Sequence, residues 1–123
     1  MPTPTLIKLR TQSRLLEVGF DDGTRFELPL EYLRVYSPSA EVRGHGPGQE
    51  TLQLGKHEVG VKAVEPVGNY AVRLVFDDGH DTGLYTWNYL HELGRDHEQK
   101  WAHYLARLKD LGIAYPTPGP KQK

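Results

Sequence analysis

The sequence contains no cysteine. Disulfides, thiolate nucleophiles and thiolate-ligated zinc or iron–sulfur sites are therefore excluded within this chain. The sequence also lacks an excess of either charge: it contains 15 basic and 16 acidic residues, and its net charge at pH 7 is −1. Such a chain has no overall field that attracts nucleic acid or an anionic membrane, so we expect neither as a partner.

Long hydrophobic runs are also missing. The apolar residues after Met1 are interrupted at Lys8 and Arg10, which predicts no signal peptide and no membrane span, and hence a cytoplasmic location. The length of 123 residues, 37% of them hydrophobic, suits one domain with one core. We assign residues 1–112 to this domain and the proline-rich residues 113–123 to a flexible tail.

The motif Phe-Asp-Asp-Gly occurs twice, at residues 20–23 and 76–79. An alternating apolar run precedes each copy and a second strand-like run follows it, which is typical of a β-hairpin. Asp-Gly provides the positive φ angle that a tight hairpin turn requires. The sequence therefore predicts two hairpins.

A Tyr-Leu pair in a helix-like stretch follows each hairpin, at Tyr32-Leu33 and at Tyr89-Leu90. Two interpretations remain open. The chain could be an old duplication with two related ligand surfaces, or two hairpins could have converged on the same turn chemistry. Of the two, convergence is the simpler interpretation.

Further elements complete the expected fold. Leu6 to Arg10 and His57 to Glu65 are strand candidates, and from Asp96 apolar residues recur at helical spacing up to Gly112. Asp96 and Gln99 suggest a capping box at the start of this helix. We predict an α+β fold: an antiparallel sheet of about five or six strands, made of two hairpins plus extra strands and packed by a C-terminal amphipathic helix.

The sequence contains little that indicates a metal-binding or nucleotide-binding site. His91, His97 and His103 are six residues apart, so on a helix they would point to different faces. No His-Glu-x-x-His motif is present. The glycine-rich loop at residues 44–48 lacks the Lys-Ser or Lys-Thr of a phosphate-binding loop, although long loops of this kind often carry function. We predict no metal, no cofactor and no catalytic residues.

Residues 29–41 and 78–90 resemble the family called DUF971, the gamma-butyrobetaine hydroxylase-like N-terminal domain. The resemblance spans roughly residues 5 to 111. In the carnitine-pathway hydroxylases this domain precedes a 2-oxoglutarate- and iron-dependent catalytic domain and holds a structural zinc through three cysteines and one histidine. Similar domains are attached to Mrp/ApbC-type ATPases that carry iron–sulfur clusters.

Carried over to this chain, the cysteine positions fall on Ser37, Ser39 and Val42, and the histidine position falls on His80. A hydroxyl is a poor zinc ligand and valine is none, so the resemblance implies that His80 is the single retained ligand. We expect the Ser-Pro-Ser turn to close the same corner with hydrogen bonds.

These observations favour a standalone, non-catalytic binding module whose protein partner is unknown. The alternatives are an accessory factor in iron–sulfur or metal trafficking, working with the assembly machinery, and a family-inferred metal-binding or dioxygenase-associated subunit. Arg34 is interpreted as an anchor for loop carbonyls or as an anion clamp, and the aromatic residues as core or as a stacking surface. The candidate interaction surface comprises Arg34, Tyr36, Ser37, Ser39, Glu41, His45, His80, Tyr85 and Trp87.

Overall fold

The computed structural model describes residues 2–38 and 55–115. The first range forms three strands and a short helix: β1 (Pro4–Arg10), β2 (Leu15–Phe20), β3 (Arg25–Pro29) and α1 (Leu30–Val35). The second range forms three strands and two helices: β4 (Val61–Val67), β5 (Ala71–Phe76), β6 (Leu84–Thr86), α2 (Trp87–Arg95) and α3 (His97–Asp110). The predicted α+β class is confirmed.

The six strands divide between two antiparallel sheets, with the orders β1-β2-β3 and β4-β5-β6. The expectation of one continuous sheet was therefore wrong. Each hairpin pairs with the strand directly before it in the chain, and a helix follows each third strand at once. Pairing thus stays local within each half of the chain, and the two sheets meet through their buried faces.

Both predicted hairpins are present, and their turns have the same hydrogen bonds. The Phe20 amide donates to the Thr24 carbonyl, and the Phe76 amide donates to the His80 carbonyl, each over 2.9 Å. The glycine of each motif has a positive φ, 89° in the first and 93° in the second. This is the conformation that the Asp-Gly dipeptide predicts.

The strands after the two turns also have the same register. Glu17 of β2 faces Glu27 of β3, and Arg73 of β5 faces Leu84 of β6 at the matching place. Glu27 and Leu84 therefore occupy equivalent positions in the two sheets. Both side chains point to the outer face, because their neighbours along the strand point inward.

One main core lies between the sheets and the first two helices. Its fully buried side chains come from alternating positions of β2 and β5 and from α1 and α2: Leu16, Val18, Leu74, Phe76, Leu33, Leu90 and Leu93. A smaller cluster joins Tyr104 and Leu108 of α3 to Val35 of α1. The helix predicted after Asp96 is thus confirmed, but its buried residues pack against α1, which corrects the expectation that it packs on the sheet.

The ends of α3 differ in part from the sequence prediction. Asp96 makes no side-chain cap, because both its carboxylate oxygens accept hydrogen bonds from Arg95, so the capping box was wrong. Gly112 does end the helix with a φ of 72°. Tyr115 contacts the domain by donating a hydrogen bond to Glu31, so residue 115 does not extend as a free tail. Residues 116–123 lie outside the described part of the chain.

Within residues 2–38 and 55–115, no helix combines the length and the apolar character that crossing a bilayer requires.

Candidate functional site

Five polar side chains meet where α1 ends and the β5–β6 connection begins. We call this group the polar corner: Arg34, Ser37, Lys56, Asp78 and His80. The chain turns directly after α1, which brings Ser37 Oγ to 2.8 Å from His80 Nε2. A hydrogen bond thus closes the corner at Ser37, as the Ser-Pro-Ser turn predicted.

A close approach of the backbone to Ser37 makes this contact possible. A Cβ atom on Gly83 would overlap with Ser37 Oγ and press against the ring of Tyr85. Glycine at position 83 therefore leaves the space that the serine hydroxyl occupies.

Arg34 is a structural anchor. Its Nε donates to Asp78 Oδ2 over 2.9 Å, and its guanidinium lies 5.9 Å from the centroid of the Phe76 ring. Lys56 Nζ donates to the same Asp78 oxygen over 2.7 Å. Because Arg34 is buried and already paired, it is not available to clamp an anion or to contact a partner, so its place in the predicted interaction surface is corrected.

The protonation states of the corner follow from these contacts. Burial raises the pKa of Asp78, but the hydrogen bonds from Lys56 and from the His80 amide, with the charge of Arg34, outweigh it and hold that pKa below its ordinary value. Burial, followed by the Arg34 charge, lowers the pKa of His80. At neutral pH the corner therefore contains a carboxylate, two cations and a neutral imidazole.

The described residues of the polar corner do not fit a zinc ion. They offer one imidazole, whose Nε2 is already bonded to the Ser37 hydroxyl, and one carboxylate, which is held by Arg34 and Lys56. Zinc prefers four ligands drawn from thiolate, imidazole and carboxylate groups, and two cations beside the site would repel it. In residues 2–38 and 55–115 no three His, Asp or Glu side chains are grouped closely enough to hold a metal.

The serine–histidine pair also has the spacing of a nucleophile and its base. Ser37, however, is 0% exposed, so a substrate atom cannot reach its Oγ in this conformation. Its hydroxyl serves to fasten the end of α1 to the β5–β6 connection.

Two predicted surface tyrosines are anchored to the backbone. Tyr85 is 0% exposed and donates to the Leu33 carbonyl over 2.7 Å. Tyr36 is half-buried and donates to the Lys100 carbonyl over 2.7 Å. Tyr85 belongs to the core and cannot touch a partner, which corrects its place in the interaction surface. The core interpretation of the aromatic residues holds at this position.

The remaining candidates are only partly described. Trp87 is half-buried, and its indole Nε1 donates to the Asn69 carbonyl over 2.8 Å. Ser39, Glu41 and His45 lie outside the described residues, as do Val42 and the glycine-rich loop at 44–48.

Two exposed apolar side chains beside β6, those of Tyr70 and Leu84, were missed by the sequence reasoning, which had named only Trp87 in this region. Tyr70 is 52% exposed and Leu84 is 39% exposed, and the Trp87 amide donates to the Tyr70 carbonyl over 3.1 Å. We call Tyr70, Leu84 and Trp87 the apolar edge. A sequence signal existed for Leu84, because strict alternation in β6 places it opposite to the buried Tyr85.

With this geometry established, comparison identifies the class of protein. The model of the family described as gamma-butyrobetaine hydroxylase-like, N-terminal, matches residues 7–91. The chain belongs to this family, as the resemblance had predicted. No curated protein matches the chain closely enough to count as a relative.

Solved structures agree with this family. One solution structure determined by NMR is 52% identical, with a TM-score of 0.80, over 93% of this chain and 85% of the other. A second NMR structure is 46% identical, also with a TM-score of 0.80, over 100% and 98%. A crystal structure of a DUF971 protein of unknown function from Acidithiobacillus ferrooxidans is 41% identical, with a TM-score of 0.63, over 75% and 92%.

Proposed function

We propose that this chain is a non-catalytic binding module that docks a protein partner on the apolar edge, beside the polar corner. The observation that carries the proposal is the exposure of two apolar side chains: Leu84, on a strand at the border of its sheet, and Tyr70, whose carbonyl accepts the Trp87 amide hydrogen. Large apolar and aromatic side chains of this kind dominate the binding energy of protein interfaces.

The bonds within the polar corner make this part of the fold rigid, which supports the proposal. Arg34, Ser37 and His80 are bonded to partners on other elements, so they tie α1 to the connection that leads into β6. A rigid support lowers the entropy that is lost when a partner binds. The corner therefore fixes the start of β6, where Leu84 lies, and the partner contacts the apolar edge itself.

β6 also offers backbone groups to a partner. It pairs only with β5 among the described strands, so its second edge is not part of a ladder there. A partner could add backbone hydrogen bonds to the contacts of Leu84.

The metal-trafficking alternative depends on the fusion partners of similar domains, and no contact described in residues 2–38 and 55–115 favours it.

The metal content of the purified protein distinguishes a binding module from a metal-trafficking factor. We expect protein purified without an affinity tag to contain zinc and iron well below one equivalent per chain, because the polar corner lacks a sufficient set of ligands. Elemental analysis by mass spectrometry measures both metals. One tightly held equivalent that survives dialysis against a chelator would support the trafficking alternative instead.

Partner capture tests the apolar edge directly. We expect Leu84→Glu and Tyr70→Ala to lose a protein that the unmodified chain captures from lysate of its source cells, because each removes an exposed apolar contact. The matched control is Glu27→Ala, which alters the equivalent exposed position of β3 in the other sheet. Quantitative mass spectrometry of the captured proteins gives the comparison.

Exposed substitutions of this kind leave the core intact, so each variant should unfold at nearly the same urea concentration as the parent. Equal capture by both apolar-edge variants and by the control would overturn the proposed surface. Arg34→Ala is unsuitable for this experiment, since it breaks a buried ion pair and would confuse folding with binding.

A further inference from the structure

The two halves of the chain have the same strand register at every residue pair that both sheets contain. Leu6 faces Gly19 in the first sheet, and Ala63 faces Val75 at the same place in the second. Each first strand also has a register shift directly before these residues, between Pro4 and Leu6 in β1 and between Val61 and Ala63 in β4. Converged turn chemistry does not explain a matching register shift on a strand outside the hairpin.

The contacts between the halves are reciprocal. Tyr32 of α1 donates its hydroxyl hydrogen to the carbonyl of Leu93 in α2, over 2.7 Å. Tyr89, the equivalent residue of α2, donates in return to the carbonyl of Tyr36, which is equivalent to Leu93. Each half thus donates one tyrosine hydrogen bond to the other half and accepts the equivalent bond from it.

The polar contacts between each helix and the opposite turn follow the same rule. Arg34 of the first half binds Asp78 in the second turn, over 2.9 Å. His91, at the equivalent position of α2, lies with its Nε2 3.0 Å from Asp22 Oδ2 in the first turn. The aromatic ring of each motif contacts the helix residue of its own pair. The Arg34 guanidinium lies over the Phe76 ring, and the Phe20 ring meets that of His91 edge to face, with centroids 4.9 Å apart.

We infer that residues 4–36 and 61–93 are two copies of one strand–strand–strand–helix unit, joined through a self-complementary interface. The partner that fits the helix-and-turn surface of each unit is therefore a second copy of the same unit. Reciprocal contacts between equivalent positions are the mark of a two-fold interface between identical surfaces. The inference stands on register and contacts, and does not depend on the proposed function.

The copies differ at the polar corner. The positions equivalent to Ser37 and Gly83 are Gly94 and Phe26, and a Cβ on Gly94 would overlap with the Phe26 ring. In one copy the glycine therefore makes room for a hydroxyl bonded to an imidazole, and in the other it makes room for an aromatic ring. One corner became polar while its equivalent was filled by apolar packing.

Equivalence predicts that residues can be exchanged between the copies. We expect His91→Arg in the full chain to fold cooperatively, with its guanidinium over Phe20 and bonded to Asp22, as Arg34 is over Phe76 and bonded to Asp78. The folding equilibrium constant of His91→Arg should exceed that of His91→Gln by about fivefold, because a charge-assisted hydrogen bond is stronger than a neutral one.

Urea unfolding of both variants measures this ratio, and an NMR or crystal structure of His91→Arg shows where the guanidinium lies. An equal or lower folding constant for the arginine variant, a failure of that variant to fold, or a guanidinium directed away from Asp22 would each overturn the inference. Partner capture is a separate measurement, so the proposed binding surface and the duplication can fail independently.

Discussion

Phe76→Ala is expected to lower the free energy of unfolding by about 3–5 kcal/mol. Phe76 is 0% exposed within the main core, so alanine would leave a cavity that the two rigid sheets cannot close. The substitution also removes the ring beneath Arg34 and the contact with His80, whose ring centroid lies 6.0 Å away. Since small domains are stable by only about 5–15 kcal/mol in total, much of the stability would be lost.

Urea unfolding followed by tryptophan fluorescence and circular dichroism measures this loss. Phe76→Leu, which leaves a smaller cavity, keeps the effect measurable should the alanine variant not fold. Leu111→Ala is the control, because Leu111 is 62% exposed and its truncation should change stability by less than about 0.5 kcal/mol. A loss below about 1 kcal/mol for Phe76→Ala would show that this ring is not a main support of the core.

The elements of the fold were largely predictable, because their signals are local. The two Phe-Asp-Asp-Gly turns, the helix from Asp96 to Gly112 and the strand character of the first residues can all be read from short windows of sequence. The division into two sheets could not be predicted, because one continuous sheet and two separate sheets would bury the same alternating side chains. β4 also continues past the predicted end at Glu65 and includes Pro66, which an edge strand tolerates because its amide need not join a ladder.

The site was predictable only where a resemblance supplied long-range information. The family pattern placed Ser37 and His80 at one corner, and the structure brings them to 2.8 Å. Nothing in the sequence joins Lys56 to Asp78, because an ion pair between distant residues leaves no periodic pattern. Tyr85 was assigned to the surface from its type, but its hydroxyl found a buried backbone carbonyl, which lets tyrosine enter a core.

Gly94→Ala is expected to destabilise the protein, against the usual preference for alanine in helices. In a free helix this change stabilises by about 1 kcal/mol. Here a Cβ on Gly94 would overlap with three ring atoms of Phe26, across the contact between α2 and the first sheet. Overpacking of this kind costs about 1–3 kcal/mol, so it outweighs the helix propensity and reverses the sign.

A double-mutant cycle with Phe26→Ala isolates that overlap. Phe26→Ala alone should destabilise, but in its background Gly94→Ala should become neutral or stabilising by up to about 1 kcal/mol, because the ring that blocks the Cβ is gone. The two changes are thus expected to be strongly non-additive, as measured by urea unfolding of the parent, both single variants and the double variant. Additivity within about 0.5 kcal/mol would mean that α2 moves to accept the methyl group and that Gly94 is not needed for the close packing of the two halves.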